Sequence, residues 1–323
     1  MAEGAAKGDN ERVKTQRWMV DSAHLETAEA QEALECGARI LRSGGLVALP
    51  TETVYGLGAD ALNAHAVERI FAAKQRPAWD PIIVHVAGAR GAEAMLATLV
   101  HQVPDRARRL IEAFWPGPLT LLLPRSAAVP DVVTAGRPLV GLRMPSHPVA
   151  LELIRRAGVP IAAPSANTFG HTSPTTAAHV LDDLDGRIDA VVDAGPTEHG
   201  VESTVLDPCQ SPMVIYRPGA VTSVQIREIA GAVELFAGAA SAETAPRPSL
   251  PAPGVGLRHY APRARLLLTA DEDGEAPRAE DALSRLETRL AQLARPLAAE
   301  RVGVMLPAGV AAPAGTAAVY AWG

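Results

Sequence analysis

The chain is 323 residues long and carries 36 acidic side chains against 30 basic ones, a formal net charge of −6. Only 4% of its residues are aromatic, which excludes a general nucleic-acid coat protein, because such proteins need basic grooves and stacking rings. Hydrophobic residues make up 48% of the chain, enough for a large core, and at ~100–200 residues per domain the length predicts two domains.

The start of the chain and its cysteines bear on where the protein works. The first 17 residues mix charges and hold no apolar segment, so no secretory signal peptide is predicted. No apolar run approaches ~18 residues, the length that spans a membrane. Cys36 and Cys209 form no CxxC pair and indicate no disulfide framework. These features predict a cytoplasmic protein that does not contact membranes.

Helical and strand patterns then alternate along the chain, which is typical of an α/β fold. Residues 1–22 are polar and predict a disordered tail. Apolar spacing predicts helices over 27–43, from the N-cap Asn63 to Lys74, and over 148–157, 175–184 and 223–230. Short buried strands are predicted over 46–49, 82–86, 119–123, 139–142, 160–163, 190–192, 203–206 and 214–216. The strands after residue 186 have fewer helices between them, which indicates a mixed sheet.

A change of composition after residue 236 predicts a domain boundary. Residues 237–262 are rich in Gly, Ala, Ser and Pro, as linkers are. The main domain accordingly covers 23–236, and a second, smaller α/β domain is predicted over 263–323. Its predicted elements are strands over 265–269, 302–306 and 317–320 and a helix over 281–294.

Polar side chains follow the first predicted strand, in the segment Pro50-Thr51-Glu52-Thr53-Val54-Tyr55-Gly56-Leu57-Gly58. Open α/β sheets bind ligands at the carboxyl ends of their strands, so Thr53 and its neighbours are candidate binding residues. The alternative is that these hydroxyls only cap a turn. The GxG at Gly56 lacks the third glycine of a dinucleotide fingerprint and is weak evidence by itself.

Four basic side chains lie at the ends of predicted elements. Lys74, the only lysine beyond residue 14, and Arg76 end a helix, while Arg143 and Arg217 each leave an apolar strand shortly before a proline. Each residue by itself also has an explanation without a ligand. Lys74 and Arg76 would complement the dipole at the end of a helix, and Arg143 and Arg217 would be ordinary surface arginines. Together they favour a phosphate-binding cleft. His85, on a predicted strand, is either a core residue or part of that cleft.

Small polar residues follow two further strands. Ser165 and Asn167 lie in Pro164-Ser165-Ala166-Asn167, and Ser203 lies in Gly200-Val201-Glu202-Ser203-Thr204. Such groups form either an anion-binding nest or an ordinary turn. The sequence contains no P-loop, no HExxH and no evident Ser-His-Asp arrangement. Cations and hydroxyls without a nucleophile favour a polyanion such as a nucleoside triphosphate, handled by positioning and electrostatics.

The order of these motifs resembles the threonylcarbamoyl-AMP synthase family (YrdC-like) over residues 27–230. The segments that carry the resemblance are PTETVYGLG, Lys74-Gln75-Arg76, Asp80-Pro81-Ile82-Ile83-Val84-His85-Val86, Phe114-Trp115-Pro116-Gly117-Pro118-Leu119-Thr120, Arg143-Met144-Pro145, Pro164-Ser165-Ala166-Asn167, Gly200-Val201-Glu202-Ser203-Thr204 and Arg217-Pro218-Gly219. Residues 253–262 resemble the linker of the long, two-domain form.

The resemblance implies a fold as well as an activity. The fold would be α/β, a twisted mixed open sheet with a concave basic cleft, followed by a small Rossmann-like α/β domain that ends earlier than is usual in the family. Residues 23–236 would be the catalytic domain and 237–262 a linker that serves as a lid. The activity would be that of a nucleotidyltransferase, which makes L-threonylcarbamoyladenylate and pyrophosphate from L-threonine, bicarbonate and ATP.

The resemblance also implies partners and a cofactor. The product would pass to a tRNA threonylcarbamoyl transferase complex and serve threonylcarbamoyladenosine formation in tRNA, and weak direct binding of tRNA is left open. Mg²⁺ is expected to accompany ATP, and no protein metal site is predicted.

Residue roles carry over position by position. L-Threonine would be bound by Thr53, His85, Arg143 and Ser203, with Arg143 facing the carboxylate. ATP would be bound by Arg76, Asp80, Ser165, Asn167, Ser173, Arg217 and, from the lid, Tyr260. Lys74 and Arg76 would be the catalytic cations that stabilise the departing pyrophosphate. Asp80 stands where the family usually has Asn, so its carboxylate would need a cation such as Mg²⁺ beside the triphosphate.

Two other functions are alternatives, the first of which would use the same cleft. An RNA-binding module would bind RNA in a salt-dependent way without threonine, and the net charge of −6 argues against it. A carbamoyl-transfer enzyme of hydrogenase maturation shares the YrdC-like fold, but such enzymes carry acylphosphatase and zinc-finger segments that this sequence lacks.

Overall fold

The computed structural model describes residues 14–237, 251–252, 303–307 and 318–322. Contacts divide the chain into two compact units, Met1–Arg263 and Ala264–Gly323. The predicted strand over 265–269, the predicted helix over 281–294 and Tyr260 lie outside the described residues. The domain boundaries given above therefore stay a prediction.

Most of the predicted elements are present in the first unit. Its strands are β1 (Gln16–Met19), β2 (Val47–Leu49), β3 (Gly56–Asp60), β4 (Ile83–His85), β5 (Leu119–Pro124), β6 (Leu139–Arg143), β7 (Ile161–Ala162), β8 (Ala190–Asp193), β9 (Thr204–Asp207), β10 (Met213–Arg217) and β11 (Val233–Leu235). Its helices are α1 (Ala28–Arg42), α2 (Ala64–Lys74), α3 (Ala89–Leu99), α4 (Asp105–Phe114), α5 (Asp131–Thr134), α6 (Pro148–Ala157), α7 (Ala177–Leu184) and α8 (Ser223–Ala230). In the second unit, β12 (Gly303–Pro307) and β13 (Ala318–Trp322) pair in parallel.

The strands of the first unit form one mixed sheet in the order β1-β8-β2-β3-β7-β4-β6-β5-β9-β10-β11. Parallel pairs such as β4 with β6 and β5 with β9 alternate with antiparallel ones such as β2 with β3 and β5 with β6. The predicted α/β class with a mixed open sheet is confirmed. Because strands far apart in sequence are neighbours here, the sheet brings the ends of β2, β4, β6 and β9 into one region.

Helices cover both faces of the sheet, because successive side chains of a strand point to opposite faces. In β2, Val47 and Leu49 pack in the cluster that contains α1 and α6, whereas Ala48 packs in the cluster that contains α2, α5 and α7. The predicted caps are present as well. The side chains of Thr27 and Asn63 accept hydrogen bonds from the first turns of α1 and α2.

The predicted disordered tail over 1–22 is wrong for residues 16–19, which form β1. This strand pairs in parallel with β8 at the edge of the sheet, and Arg17 forms an ion pair with Asp193 at 2.5 Å. The hydroxyl of Thr15 also donates to the carbonyl of Ile188 at 3.0 Å. Three of the four β1 side chains are exposed, so the segment lacks the apolar alternation by which strands are recognised in a sequence.

A small apolar cluster lies on the middle strands of the sheet. Ile83 of β4, Leu122 of β5 and Val205 of β9 pack there against Ala252, which is fully buried. Residues 251–252, at the end of the first unit, therefore lie against the sheet. Ile83 also lines the pocket described next, so this contact borders the candidate site.

Candidate active site

A partly open pocket lies where the polar strand ends meet. Seven of the eight segments quoted above contribute to its wall, from the segment after β2 to the end of β10. The lining residues are Thr51, Thr53, Val54, Gly56, Arg76, Pro81, Ile83, His85, Arg143, Ala163, Pro164, Ser165, Glu202, Ser203 and Arg217. The structure therefore brings together seven of the predicted site residues: Thr53, Arg76, His85, Arg143, Ser165, Ser203 and Arg217.

Arg143, at the end of β6, is a buried guanidinium with a buried acid behind it. Its Nη2 lies 2.7 Å from Oε1 of Glu52, in an ion pair whose angles fall outside hydrogen-bond geometry. Its Nε donates to the carbonyl of Gly117 at 3.3 Å. Burial lowers the pKa of Arg143, and the Glu52 carboxylate opposes that shift. Arginine remains charged under these conditions, so the pocket presents a positive group suited to a carboxylate.

His85, at the end of β4, contributes a neutral ring to the same wall. Burial, and then the nearby charge of Arg143, lowers the pKa of His85 to about 3. Its Nδ1 has no hydrogen-bond partner among the described residues. Beside it, the hydroxyls of Thr51 and Thr53 lie 2.9 Å apart, and Thr51 also donates to the carbonyl of Val54 at 2.6 Å. This side of the pocket offers uncharged polar groups next to the guanidinium.

Ser203 and Arg217 form the wall on the β9 and β10 side. The Arg217 guanidinium donates to the carbonyl of Ser203 from Nε at 3.1 Å and from Nη2 at 2.9 Å, and Nη2 also contacts the Ser203 hydroxyl at 3.1 Å. The Ser203 hydroxyl lies 2.8 Å from that of Thr120, which is fully buried in β5. The segment before β9 is therefore fixed by Arg217 from one side and by the sheet from the other.

Arg76 and Asp80 form a second buried ion pair, with Nη2 of Arg76 2.9 Å from Oδ2 of Asp80. Arg76 also donates to the carbonyl of Pro81 at 2.7 Å. Burial raises the pKa of Asp80, and the Arg76 charge opposes that rise. Asp80 is completely buried and is not among the pocket-lining residues. The Asp80 carboxylate is turned to Arg76 instead, and its predicted contact with ATP stays a prediction.

Lys74 is turned away from the cavity as well. Its Nζ donates to the carbonyl oxygens of Ser165 and Asn167, and only 1% of the residue is exposed. Burial lowers the pKa of Lys74 well below its usual value. The next residue, Gln75, adopts a left-handed conformation with φ of 53°, so the chain turns sharply between Lys74 and Arg76. The predicted pair of catalytic cations is thus divided: Arg76 lines the pocket, and Lys74 holds the loop behind it.

Asn167 and Ser173 are the other predicted ATP-binding residues that do not line the pocket. The Asn167 amide donates to the carbonyls of Thr168 and His171, both at 3.0 Å, and closes the loop after β7. The Ser173 hydroxyl donates to the carboxylate of Glu202, which does line the pocket. Both residues therefore hold pocket segments in place without lining the pocket themselves. Tyr260, predicted to cover the nucleotide, lies outside the described residues.

The site also holds residues that were not predicted from the sequence. Glu52 pairs with Arg143, Thr120 supports Ser203, and Glu202 and Thr51 line the cavity. Glu52, Thr51 and Glu202 lie inside motifs that were singled out, so their position was a usable signal. Thr120 lies within an apolar strand, where only the three-dimensional pairing of β5 with β9 reveals its partner.

The side chains around the pocket do not form a recognisable set of metal ligands. Within the described part of the chain, no group of three His, Cys, Asp or Glu residues could hold one. Asp80, the residue expected to meet Mg²⁺, is buried against Arg76 instead. The protein residues therefore do not fit a dedicated Mg²⁺ site, and the ion remains an expected companion of ATP.

The fold and the pocket together define an α/β protein built to bind a small anionic ligand at its strand ends. The Sua5/YciO/YrdC family model, described as telomere recombination, matches residues 39–219. The chain belongs to this family.

Named relatives agree with this assignment. The chain is 47% identical over 258 residues to a threonylcarbamoyl-AMP synthase of Bacillus subtilis, a match that covers 79% of this chain and 72% of the relative. It is 46% identical over 237 residues to a threonylcarbamoyl-AMP synthase of Pyrococcus abyssi, covering 73% of this chain and 67% of the relative.

Solved structures share the architecture. The crystal structure of P. abyssi Sua5 complexed with L-threonine matches with a TM-score of 0.80 and 37% identity, over 96% of this chain and 83% of that one. The structure of E. coli YciO matches with a TM-score of 0.56 and 24% identity, over 66% of this chain and 99% of that one, and speaks for the fold alone.

None of the helices in the described residues combines the length and the apolar character needed to cross a membrane. The cytoplasmic location stays a prediction.

Proposed function

We propose that the chain is an L-threonylcarbamoyladenylate synthase, which converts L-threonine, bicarbonate and ATP to threonylcarbamoyl-AMP and pyrophosphate. The observation that carries the proposal is the convergence of Arg76, Arg143 and Arg217 on one pocket. The identity of 47% to a protein of that name and the likeness to a threonine complex support it. Three guanidinium groups suit a reaction between a carboxylate-bearing amino acid and a triphosphate.

L-Threonine binds in this proposal on the side formed by β4 and β6. Arg143 takes the carboxylate, since its planar fork can donate two parallel hydrogen bonds. The hydroxyls of Thr53 and Ser203 and the neutral ring of His85 surround the rest of the amino acid. The amine, once deprotonated, attacks the carbon of bicarbonate, a C–N bond forms, and water leaves, which gives a threonine carbamate.

ATP binds on the side formed by Arg76, Ser165 and Arg217. A carbamate oxygen attacks the α-phosphorus in line with the leaving group, a new P–O bond forms, and the bond to the β-phosphate oxygen breaks. Pyrophosphate carries the electron pair away, and no side chain becomes covalently attached. The protein contributes positioning and preorganised positive charge, which are the main contributions to phosphoryl-type transfers.

Mg²⁺ enters this proposal only as part of the MgATP substrate, where it would neutralise phosphate charge. No step is assigned to a protein-held ion. Transfer of the product to tRNA by a separate complex is likewise part of the proposal. An RNA-binding function is not advanced, because the net charge of −6 argues against it.

Incubation with ¹⁴C-bicarbonate, L-threonine and ATP tests the proposal. We expect a labelled product whose mass equals that of threonylcarbamoyl-AMP, together with an equal amount of pyrophosphate. Omitting any one substrate should abolish both. Release of pyrophosphate without threonine, or the absence of a labelled adenylate, would contradict the proposal.

A further inference from the structure

Two carboxylates lie directly behind the arginines of the pocket without lining it. Glu52 is 2% exposed and Asp80 is not exposed at all. Each forms an ion pair with one guanidinium, Glu52 with Arg143 at 2.7 Å and Asp80 with Arg76 at 2.9 Å. A buried charge pair seldom adds net stability, because desolvation offsets the attraction. Net stability therefore does not explain why two guanidinium groups are buried beside one pocket.

We propose that Glu52 and Asp80 are positioning residues, each of which orients one guanidinium toward one substrate. Glu52 sets Arg143 for the carboxylate of L-threonine, and Asp80 sets Arg76 for the phosphates of ATP. This inference rests on the proposed function and adds two residues that act on the substrates only through arginines.

Glu52 joins three separate segments of the site. Its Oε1 pairs with Arg143, its Oε2 accepts from the backbone N–H of Ser146 at 3.1 Å, and its carbonyl accepts from the N–H of His199 at 2.9 Å. The guanidinium of Arg143 is also held at Nε by Gly117. Fixed on two nitrogens from behind, it presents its other donors to the pocket that it lines.

Asp80 acts within a shorter loop. The Arg76 side chain contacts the Asp80 carboxylate, donates to the Asp80 carbonyl at 3.3 Å and donates to the Pro81 carbonyl at 2.7 Å. The guanidinium is thus bound to the residues that lead into β4. The position of the Arg76 guanidinium therefore depends on the Asp80 carboxylate and on the backbone of the loop that contains Asp80.

The two pairs also balance charge while the pocket is empty of substrate. An unpaired buried guanidinium would be strongly destabilising, and each acid removes that cost. Within the described residues, Glu52 forms its ion pair and side-chain hydrogen bond with β6 and the loop after it, whereas the ion pair of Asp80 is with Arg76. Substitution of one acid should therefore disturb one substrate and spare the other.

The test compares Glu52→Gln with Asp80→Ala in the full chain, since Asn is the residue that the family usually has at position 80 and could still accept a hydrogen bond from Arg76. The KM values for L-threonine and for ATP are measured separately, and L-threonine alone and a non-hydrolysable ATP analogue alone are titrated by calorimetry. We expect Glu52→Gln to weaken threonine binding about tenfold or more, the usual effect of losing a group that orients a ligand-binding residue, and to leave ATP binding within about twofold. Asp80→Ala should show the reverse. The control is Asp131→Asn, which removes an exposed ion pair with Arg125 and should change neither constant.

The outcomes are separable. Equal losses for both substrates, a loss only in kcat, or no change in either variant would overturn the positioning roles. If Glu52→Gln does not fold, Glu52→Asp keeps the charge and shortens the side chain by one methylene, and the same split between substrates is required of it. If the unaltered chain binds neither threonine nor the ATP analogue, the proposed function fails instead.

Discussion

Buried charged groups around the pocket differ in what they contact, and that difference assigns their roles. Arg76 and Arg143 each pair with a buried acid and line the cavity, whereas the Lys74 ammonium donates to two carbonyl oxygens of the loop after β7. Removing one member of a buried polar group leaves its partner unsatisfied, which costs far more than the contact gains. Each of these residues is therefore sensitive to substitution, but for different measurable reasons.

Lys74→Met should reduce stability, because the carbonyls of Ser165 and Asn167 lose their donor. We expect the free energy of unfolding to fall by about 2–4 kcal/mol, as for two buried acceptors left without partners. Urea denaturation measures this, with Lys14→Met at an exposed position as the control. Unchanged stability together with a slower release of pyrophosphate would instead support the direct catalytic role predicted from the sequence.

The buried ring of His85 should make stability depend on pH. Its pKa is about 3 in the folded chain and about 6.5 when unfolded. Between these values the unfolded chain binds a proton that the folded chain does not, so stability is lost as the pH falls. We expect a contribution of about 1.4 kcal/mol per pH unit below pH ~6.

Urea denaturation at pH 6, 5 and 4 of the native chain and of His85→Gln isolates this contribution. The difference between the two free energies should change with pH by that amount. A constant difference across the range would show that His85 does not carry the effect. Other groups also titrate in this interval, and they cancel in the comparison.

At this scale the sequence predicts which residues gather at the site but not which way they face. Thr53, Arg76, His85, Arg143, Ser165, Ser203 and Arg217 line the pocket as expected. Lys74 and Asp80 lie behind it, because a left-handed residue at Gln75 and a buried ion pair with Arg76 decide their directions. Neither a single backbone angle nor a contact across a loop can be read from the spacing of residue types.

At the scale of elements, the loop after β10 lies very close to the segment that precedes β9. A Cβ atom on Gly219 would lie 2.3 Å from the carbonyl oxygen of Glu202 and 2.5 Å from the nitrogen of Thr204. Both are backbone atoms, which cannot rotate away. Glycine at this position therefore allows Arg217 to reach the carbonyl of Ser203.

Gly219→Ala should separate these two segments and weaken ATP binding. We expect an increase of about tenfold or more in the KM for ATP, because a displacement of about 1 Å at a binding group has effects of this size or larger. Gly141→Ala is the matched control, since its Cβ would meet only side-chain atoms at 3.4 Å or more. Equal KM values for the two variants would show that the close approach is not required.

Elements with clear start signals are the ones that the sequence predicts well. α1 and α2 begin at Thr27 and Asn63, whose side chains cap them. α3 and α4 were not predicted, and neither has a capping side chain at its start. β3 was interpreted as part of a candidate binding segment because polar side chains follow the strand before it. Its residues form a strand instead, in which Gly58 is needed because a Cβ there would lie 2.8 Å from Leu49 Cδ2.

At the scale of the molecule, the mixed sheet assembles a site from residues 51 to 217. Helices pack on both faces, and the apolar cluster of Ile83, Leu122 and Val205 beside the pocket packs against Ala252. The periodicity of the sequence predicts an α/β fold with mixed strands. It does not give the order in which eleven strands are paired, because that order depends on contacts between distant segments.

Ala252→Glu should disrupt the contact between the end of the first unit and the sheet. An unpaired carboxylate cannot be accommodated in an apolar cluster, so we expect a loss of about 1–3 kcal/mol in the free energy of unfolding. Ala127→Glu, at an exposed position, is the control. Equal stability of the two variants would mean that residues 251–252 leave the sheet at little cost.

The proposed reaction requires that one pocket holds threonine and ATP side by side. A crystal structure of the chain with L-threonine and a non-hydrolysable ATP analogue tests this arrangement. We predict the threonine carboxylate on Arg143, with Thr53, His85 and Ser203 around the amino acid, and the phosphates on Arg76 and Arg217. Threonine bound elsewhere, or a nucleotide whose phosphates contact neither Arg76 nor Arg217, would contradict the account.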